Sequence, residues 1–379
     1  MKNTSLLSRR NWLRNTTLSS AGLVMAAHTG LFAQSANDYP NEEELVRLFS
    51  NENPYGPSRQ AKAAIEKLLH RANRYPTYHE VNPQALKEAI AKKEGLKPEN
   101  VVLGHGSYQL LSLIAILYGN QQQTLVIPRP TFNVTGAYAE KQLGARVKYV
   151  NLDTKFGMDL PAMRRAIDNR TSMVMICNPN NPTGTSVSAQ KLADFCKEVG
   201  KKATVFVDEA YIEYASPTHT QSMVALVRQQ ENVLITRTFS KMYGLAGMRV
   251  GYALARKDIA AKLDALNGRF GQLINGPGLA AAMASLKDEG FIKKTVRKNE
   301  EVKHWFYQQL QQTGVPYIAS DTNFVYVQTG KVYANFHSQL ATHHLKAVGR
   351  DKSEWSRISI GTLANMKQLM RSMKTMQKI

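Results

Sequence analysis

From residue 101 onward, the apolar positions come in short runs rich in β-branched residues, with amphipathic stretches between them. VVLGHGS, TLVIPRP, ARVKYVNL, SMVMIC, ATVFVDEA, NVLITRT and VGYALA read as strands. Strands alternating with helices imply an α/β fold, with a mostly parallel sheet covered by helices on both faces. Upstream, RQAKAAIEKLLHRA and QALKEAIAKKEG carry helical spacing on either side of the turn-rich RYPTYHEVNP. Downstream, residues 275–313 read as helical, and NFVYVQ and RISIGT as strands of a smaller α+β domain. The boundaries drawn are a polar arm at 37–59, a large domain at 60–270 and a small domain at 271–379. No internal repeat or low-complexity tract interrupts the pattern.

Composition narrows the function classes. The 379 residues carry 49 Lys and Arg against 29 Asp and Glu, a net charge of +20. The excess is scattered, without an aromatic-interleaved basic stripe, so nucleic acid is not the expected partner. Anionic small molecules suit such a field better. No stretch is apolar for long enough to serve as a stable membrane anchor. Two cysteines, Cys177 and Cys196, do not make a disulfide framework. Cys177 reads as a small core residue of SMVMIC, and no CxxC, HExxH or histidine cluster points to a metal; His343-His344 reads as solvated.

The front of the chain carries an address. Ser8-Arg9-Arg10-Asn11-Trp12-Leu13-Arg14 resembles the bacterial twin-arginine export motif, and a mildly apolar, Ser/Thr/Ala-rich stretch follows it. Ala33-Gln34-Ser35 offers a small-x-small cleavage triplet. Residues 1–36 are therefore expected to be a signal peptide and the product periplasmic. That route carries folded proteins, which favours a cofactor loaded before export.

Four strand ends carry the unusual chemistry, and in open α/β sheets ligands sit at that edge. In VVLGHGSYQLL, Gly104 and Gly106 permit a tight turn, and Ser107-Tyr108 open a helix whose free N–H groups favour a phosphate. A Gly-Ser helix start also occurs for structural reasons alone. In ICNPNNPTG, prolines hold Asn181 as a fixed amide. In VFVDEAYIEY, Asp208 ends a buried strand and needs a cationic or hydrogen-bonding partner, with a helix N-cap as the plain alternative; Tyr211 follows. In TRTFSKMYGLAGMRVGY, Lys241 stands between two apolar strands, where desolvation favours the nucleophilic neutral amine. Thr238, Ser240 and Arg249 around it suit a phosphate dianion.

Pyridoxal 5′-phosphate needs each of these. An amine forms an imine with its aldehyde, and a carboxylate at the pyridine nitrogen keeps the ring an electron sink. An amide and a phenol hold the phenolic oxygen, and hydroxyls, helix N–H groups and an arginine hold the phosphate. Phe132 in RPTFNVTGAY, just after TLVIP, is placed to stack on the ring.

NENPYGPS, RYPTY, GHGS, PTF, NPNNPTG, VDEAY, SKMYGLAGMRVGY, TNFVYV and RISIGT follow in order across residues 50–365. This ordered set resembles the fold-type I pyridoxal-phosphate aminotransferases of class I/II, and among them the histidinol-phosphate aminotransferase branch. The resemblance implies that Lys241 is the covalent lysine and proton shuttle. It pairs Asp208 with the ring nitrogen and gives Asn181 and Tyr211 the phenolic oxygen. It makes Gly106, Ser107, Tyr108, Thr238, Ser240 and Arg249 the phosphate site. Arg357 in SRISIGT would clamp the substrate's anionic group, with Arg350 and Asn53 as further substrate contacts. Tyr75 in RYPTY would reach the phosphate of a neighbouring subunit, implying a homodimer with shared sites, and the arm would join the small domain. Amino donor and keto acceptor are the implied small-molecule partners. Two departures bear on the substrate: Tyr108-Gln109 stand where the family usually has an acidic residue, and the segment from Gly349 to Arg357 is short.

The residues leave other outcomes open. A racemase, decarboxylase or lyase begins from the same imine, and single-substrate chemistry suits an exported protein. A non-catalytic binding protein is the more distant reading. A nucleotide-dependent oxidoreductase is disfavoured, since no GxGxxG follows the first strand and no P-loop is present.

Overall fold

A computed structural model describes residues 45–376. The proposed signal peptide and the first part of the 37–59 arm lie outside the described residues. The described chain enters through β1 (Val46–Leu48) and the NENPYGPS loop. It then forms α1 (Arg59–Leu69), capped by Ser58, whose hydroxyl accepts from the Ala61 N–H at 3.1 Å. Asn82 caps α2 (Pro83–Glu94), which stops at Gly95 in the left-handed conformation.

The strands and helices then alternate: β2 (Val101–His105), α3 (Gly106–Tyr118), β3 (Thr124–Arg129), α4 (Val134–Leu143), β4 (Arg146–Asn151), α5 (Leu160–Ala166), β5 (Thr171–Cys177), α6 (Ala189–Gly200), β6 (Thr204–Asp208), α7 (Val224–Arg228) and β7 (Val233–Thr238). Next come β8 (Val250–Ala255) and α8 (Lys257–Asn267). These strands make a seven-stranded sheet in the order β2-β8-β7-β6-β5-β3-β4. Strands β7, β6, β5, β3 and β4 run parallel, while β8 runs against both its neighbours. The reason is local. Only the lysine loop, without a crossover helix, separates β7 from β8, and a short connection can return only antiparallel.

Alternate residues of each strand feed two cores. Val205, Val207, Val233 and Ile235 face one, with Leu86, Phe195 and Leu279 from the helices over that face. Phe206, Leu234, Val102 and Ala253 face the other, with Leu110, Ile114 and Leu263. Burial on both faces explains why these strands read as continuous apolar runs.

The helical stretch expected at 275–313 is two helices, α9 (Gly276–Leu286) and α10 (Glu289–Thr313), broken at Asp288, which caps the second. Helix α10 serves two cores: Ile292 and Val296 pack on the first, Val302, Phe306 and Leu310 on a third. That third core is completed by β9 (Tyr317–Ile318), β10 (Phe324–Val327), α11 (Phe336–Thr342), β11 (Leu345–Ala347), β12 (Ser356–Ser359) and α12 (Leu363–Thr375). Strand β1 pairs in parallel with β11, and β12-β10-β9 form a small antiparallel sheet. Val325, Val327 and Ile358 turn into the third core, so Phe324, Arg357 and Ser359 turn the other way. That other face meets Tyr211.

Candidate active site

The site lies at the carboxyl ends of β5, β6 and β7. At one end of it, Gly106 opens α3 with φ +72°, and a Cβ there would lie 2.3 Å from Arg249 Nη2. Only glycine lets the guanidinium lie against this turn. Gly251 of β8 is similarly required, since a Cβ would come within 2.5 Å of the Ser107 nitrogen. Arg249 donates to the carbonyls of Ala246 (2.9 Å) and His105 (3.3 Å), and to Ser240 Oγ at 3.4 Å. The Ser240 N–H donates to Thr238 Oγ1 at 3.1 Å. Hydroxyls, a permanent cation and the first N–H groups of α3 are thus gathered at one helix start, a site built for a dianion. Tyr108, in the first turn of α3, is half exposed.

At the other end sits Asp208, the last residue of β6, fully buried. Its Oδ1 accepts from Thr236 Oγ1 at 3.0 Å, and burial pushes its pKa up to about 6 despite that bond. A carboxylate held this way favours a cationic neighbour. Lys241 is partly buried and donates to the Ser50 carbonyl at 2.7 Å. Burial first, and then the Arg357 charge, lower its pKa to about 8. A useful fraction of it is therefore the neutral, nucleophilic amine near neutral pH. Phe132 is partly exposed; Thr131 beside it donates to Asn180 Oδ1 at 2.7 Å and so ties its loop to NPNNPTG.

Tyr211 occupies the centre. Its oxygen accepts from Asn181 Nδ2 at 3.3 Å and from Asn51 Nδ2 at 2.9 Å, and its ring meets Phe324 edge-on at 5.1 Å. Asn181 is held in turn by Arg357, whose Nη1 donates to Asn181 Oδ1 at 2.6 Å. Arg357 Nη2 donates to the Phe49 carbonyl, and its Nε is buried with no partner among the described residues. An unfilled guanidinium N–H beside the Lys241 amine is a place for an anionic substrate group.

Three predicted residues stand apart from this cluster. The Asn53 amide donates to the Met242 carbonyl (2.8 Å) and its Oδ1 accepts from the Tyr55 N–H (3.0 Å), so its side chain is spent on holding the arm to the lysine loop. Gly244 of that loop lies so close to Gly56 that a Cβ would come within 2.5 Å of its carbonyl. The residue of NENPYGPS that reaches Tyr211 is Asn51, not Asn53. Arg350 lies on an exposed turn, where its backbone N–H bonds Ser353 Oγ, and no hydrogen bond or ion pair among the described residues joins its guanidinium to the cluster. Tyr75 is 78% exposed, in a surface cleft of about 1090 Å³ lined also by Arg71, Arg74, Leu273 and Asn275.

Sequence reasoning missed the segment Phe49-Ser50-Asn51. Its three consecutive residues touch Arg357, Lys241 and Tyr211 respectively. Two of those contacts are carbonyls, which leave no trace in residue type. The available signal was the polar run SNEN ending an apolar strand.

The donor set fits pyridoxal 5′-phosphate end to end: the glycine-lined turn would hold its phosphate, Asp208 its ring nitrogen, and Lys241 its aldehyde carbon. The molecule is a fold-type I pyridoxal-phosphate enzyme. Comparison with known proteins narrows this. Residues 43–373 match the family described as aminotransferase class I and II, and the chain belongs to that family of pyridoxal-phosphate-dependent transaminases. It is 39% identical over 287 residues to the histidinol-phosphate aminotransferase of Moorella thermoacetica, covering 75% of this chain and 72% of that one. The crystal structure of a putative histidinol-phosphate aminotransferase from Erwinia carotovora atroseptica superposes with a TM-score of 0.83 at 28% identity, over 88% of this chain and 96% of that one. The Sinorhizobium meliloti histidinol-phosphate aminotransferase, solved in complex with pyridoxal-5′-phosphate, gives 0.76 at 26%, over 86% and 89%.

Proposed function

We propose that this transaminase acts on a primary amine bearing an anionic group, of the histidinol-phosphate type, with Lys241 as its covalent and proton-transferring residue. The observation that carries this reading is the pairing of a lysine whose pKa burial lowers to about 8 with Arg357, whose buried Nε lacks a partner in the same cluster. The relatives named histidinol-phosphate aminotransferase support the amino-phosphate class. Bound pyridoxal phosphate supplies an aldehyde for attachment and a ring that withdraws electrons from the substrate's Cα. Asp208 holds the ring nitrogen's proton, and Arg357 fixes the anionic group. The Lys241 amine takes the Cα proton and returns it. The test is a spectral screen of the loaded enzyme with histidinol phosphate, other amino-phosphates and L-amino acids. Conversion to the pyridoxamine form by an amino-phosphate supports the proposal. Cα proton exchange with the original colour retained would indicate a racemase instead.

Two further parts of the reading have their own supports. Ser8-Arg9-Arg10 favours export of the folded protein to the periplasm, tested by cell fractionation of the Arg9→Lys/Arg10→Lys variant. Tyr75, exposed in its cleft beside exposed Leu273, favours a second copy of the chain as the covering surface. Mixed dimers of Tyr75→Phe and Lys241→Ala chains should then regain activity that neither parent has.

A further inference from the structure

We infer that Asn51 is a positioning residue that forces the Tyr211 hydroxyl to donate its proton into the site, so that the ligand atom facing Tyr211 must be an acceptor. The inference rests on the reading of Tyr211 as partner of the cofactor's phenolic oxygen. It follows from hydrogen-bond accounting.

The Tyr211 oxygen has two amide neighbours, and each amide has its orientation imposed from behind. Arg357 can only donate, so the Asn181 atom it contacts is the oxygen, which leaves the Asn181 NH₂ facing Tyr211. The Asn51 lock is different. The Asn51 backbone N–H donates to Ser359 Oγ at 2.9 Å, and the Ser359 hydroxyl hydrogen then goes to Asn51 Oδ1 at 2.8 Å. Turning the Asn51 amide over would leave that buried hydroxyl hydrogen without an acceptor, which buried polar groups avoid. The Asn51 NH₂ therefore also faces Tyr211. With two N–H groups filling its acceptor positions, the phenol has only its own O–H left to offer.

The backbone is shaped for this. Asn51 has φ +53°, a left-handed conformation that asparagine tolerates better than most residues, and its carbonyl accepts from Asn323 Nδ2 at 3.0 Å. Three long-range bonds, two to its backbone and one to its side-chain oxygen, thus hold a residue whose amide nitrogen donates to Tyr211. A phenol donating to the phenolic oxygen keeps that oxygen anionic and sets the proton affinity of the adjacent lysine-linked nitrogen. The titratable groups acting on Tyr211 are Arg357 on β12, Cys177 ending β5, Asp208 on β6 and the neighbouring Tyr214, those acting on Lys241 are Arg357, Glu52, Arg249 and Asp208, and the variants below leave all of them in place.

The experiment measures the pH midpoint of the colour change of the pyridoxal-phosphate-loaded enzyme in wild type, Tyr211→Phe, Asn51→Asp, Asn51→Gly and Ser359→Ala. Asn51→Asp keeps the shape and the left-handed backbone but presents only acceptors, so the Tyr211 proton turns to it. The midpoint should rise by about one pH unit, the scale of a lost charge-assisted hydrogen bond, and Tyr211→Phe should rise at least as far. The uncharged Asn51→Gly and Ser359→Ala should rise by a smaller but measurable amount. In the cofactor-free enzyme, the tyrosinate difference absorbance assigned to Tyr211 should move to higher pH in Asn51→Gly, because one donor to the phenolate is gone. A shift confined to Asn51→Asp, with both neutral variants at the wild-type midpoint, would mean a simple effect of the added charge and overturn the inference. An unmoved Tyr211→Phe midpoint would instead remove the underlying reading of Tyr211, and the inference with it.

Discussion

Strands β6 and β7 present two polar faces at their ends, one residue out of phase, and the two behave oppositely. Asp208, Thr236 and Thr238 point to one side; Glu209 and Arg237 point to the other. On the second side every group is answered. Arg237 Nε bonds Glu209 at 3.0 Å, Nη1 bonds Glu94 at 2.8 Å, and Nη2 bonds Ser222 Oγ at 2.6 Å. Glu209 also accepts from the Met223 N–H and from Ser222 Oγ, both at 2.7 Å. On the first side Asp208 has one hydroxyl and the Ala210 N–H, and beyond it Arg357 keeps an unfilled N–H. Both faces are buried and ionic. The closed network stabilises a strand pair, whereas the open one holds capacity for a ligand. Burial of charge alone therefore does not mark the site; a buried charged group left with an unfilled N–H does.

The open face is tested most directly at Lys241. Lys241→Ala should lower turnover by at least about 10²–10⁴-fold, the range of a positioned acid–base group, and abolish the borohydride-reducible adduct seen by mass spectrometry. Its thermal stability should stay near wild type, because its one hydrogen bond among the described residues is to a carbonyl. Arg237→Met should do the reverse. Removing one partner of a buried ion pair costs about 3–5 kcal/mol, read from urea unfolding of the loaded enzyme. The folded fraction should still form the lysine adduct. An Arg237→Met protein that is stable but cannot be loaded would erase the distinction between the faces.

Asp208→Asn tests the open face from its buried end. Turnover should fall by about 10²-fold or more as the ring nitrogen loses its anionic partner, while the unfolding midpoint of the cofactor-free protein stays put or rises. The rise is expected because the native carboxyl, at about 6, sits above its ordinary value of 3.8. Above pH 6 the unfolded state favours the ionised form more than the native state does, so ionised Asp208 destabilises the empty protein there. The smallest effect is in pH dependence. The rate of adduct formation between cofactor-free enzyme and pyridoxal phosphate should climb about tenfold per pH unit and level off above about 8, where the Lys241 amine is already neutral. A rate still climbing past pH 10 would show a lysine in an ordinary environment.

Much of this was legible because type and position coincide. Lys241, Asp208, Asn181 and Tyr211 each sit where an apolar run ends, and residue type states their chemistry. The reversed direction of β8 was legible in principle from the missing helix between it and β7. The choice of Asn51 over Asn53 was not. Both are asparagines in one loop, and what separates them is a left-handed backbone angle and a serine 308 residues away. The carbonyls of Phe49 and Ser50 were equally hidden, since every residue carries one. The closed network behind the sheet is hidden for a related reason: Glu209 stands beside Asp208 in VDEAY, and only strand alternation separates a structural carboxylate from its neighbour.

The hold of Phe49-Ser50-Asn51 on Arg357, Lys241 and Tyr211 has a consequence for how the chain folds. These contacts join residues 308, 191 and 160 positions apart, so almost nothing in them can form locally. The segment emerges early in synthesis yet has its destinations only after β12 is made. Contacts of such separation form late, because the loop between them must close first. The core sheet should therefore assemble before the cluster is complete, with the arm docking last over a lysine loop already packed beneath it. Refolding monitored by the signals of tyrosines buried in the sheet core, such as Tyr252, should outrun recovery of the capacity to bind pyridoxal phosphate.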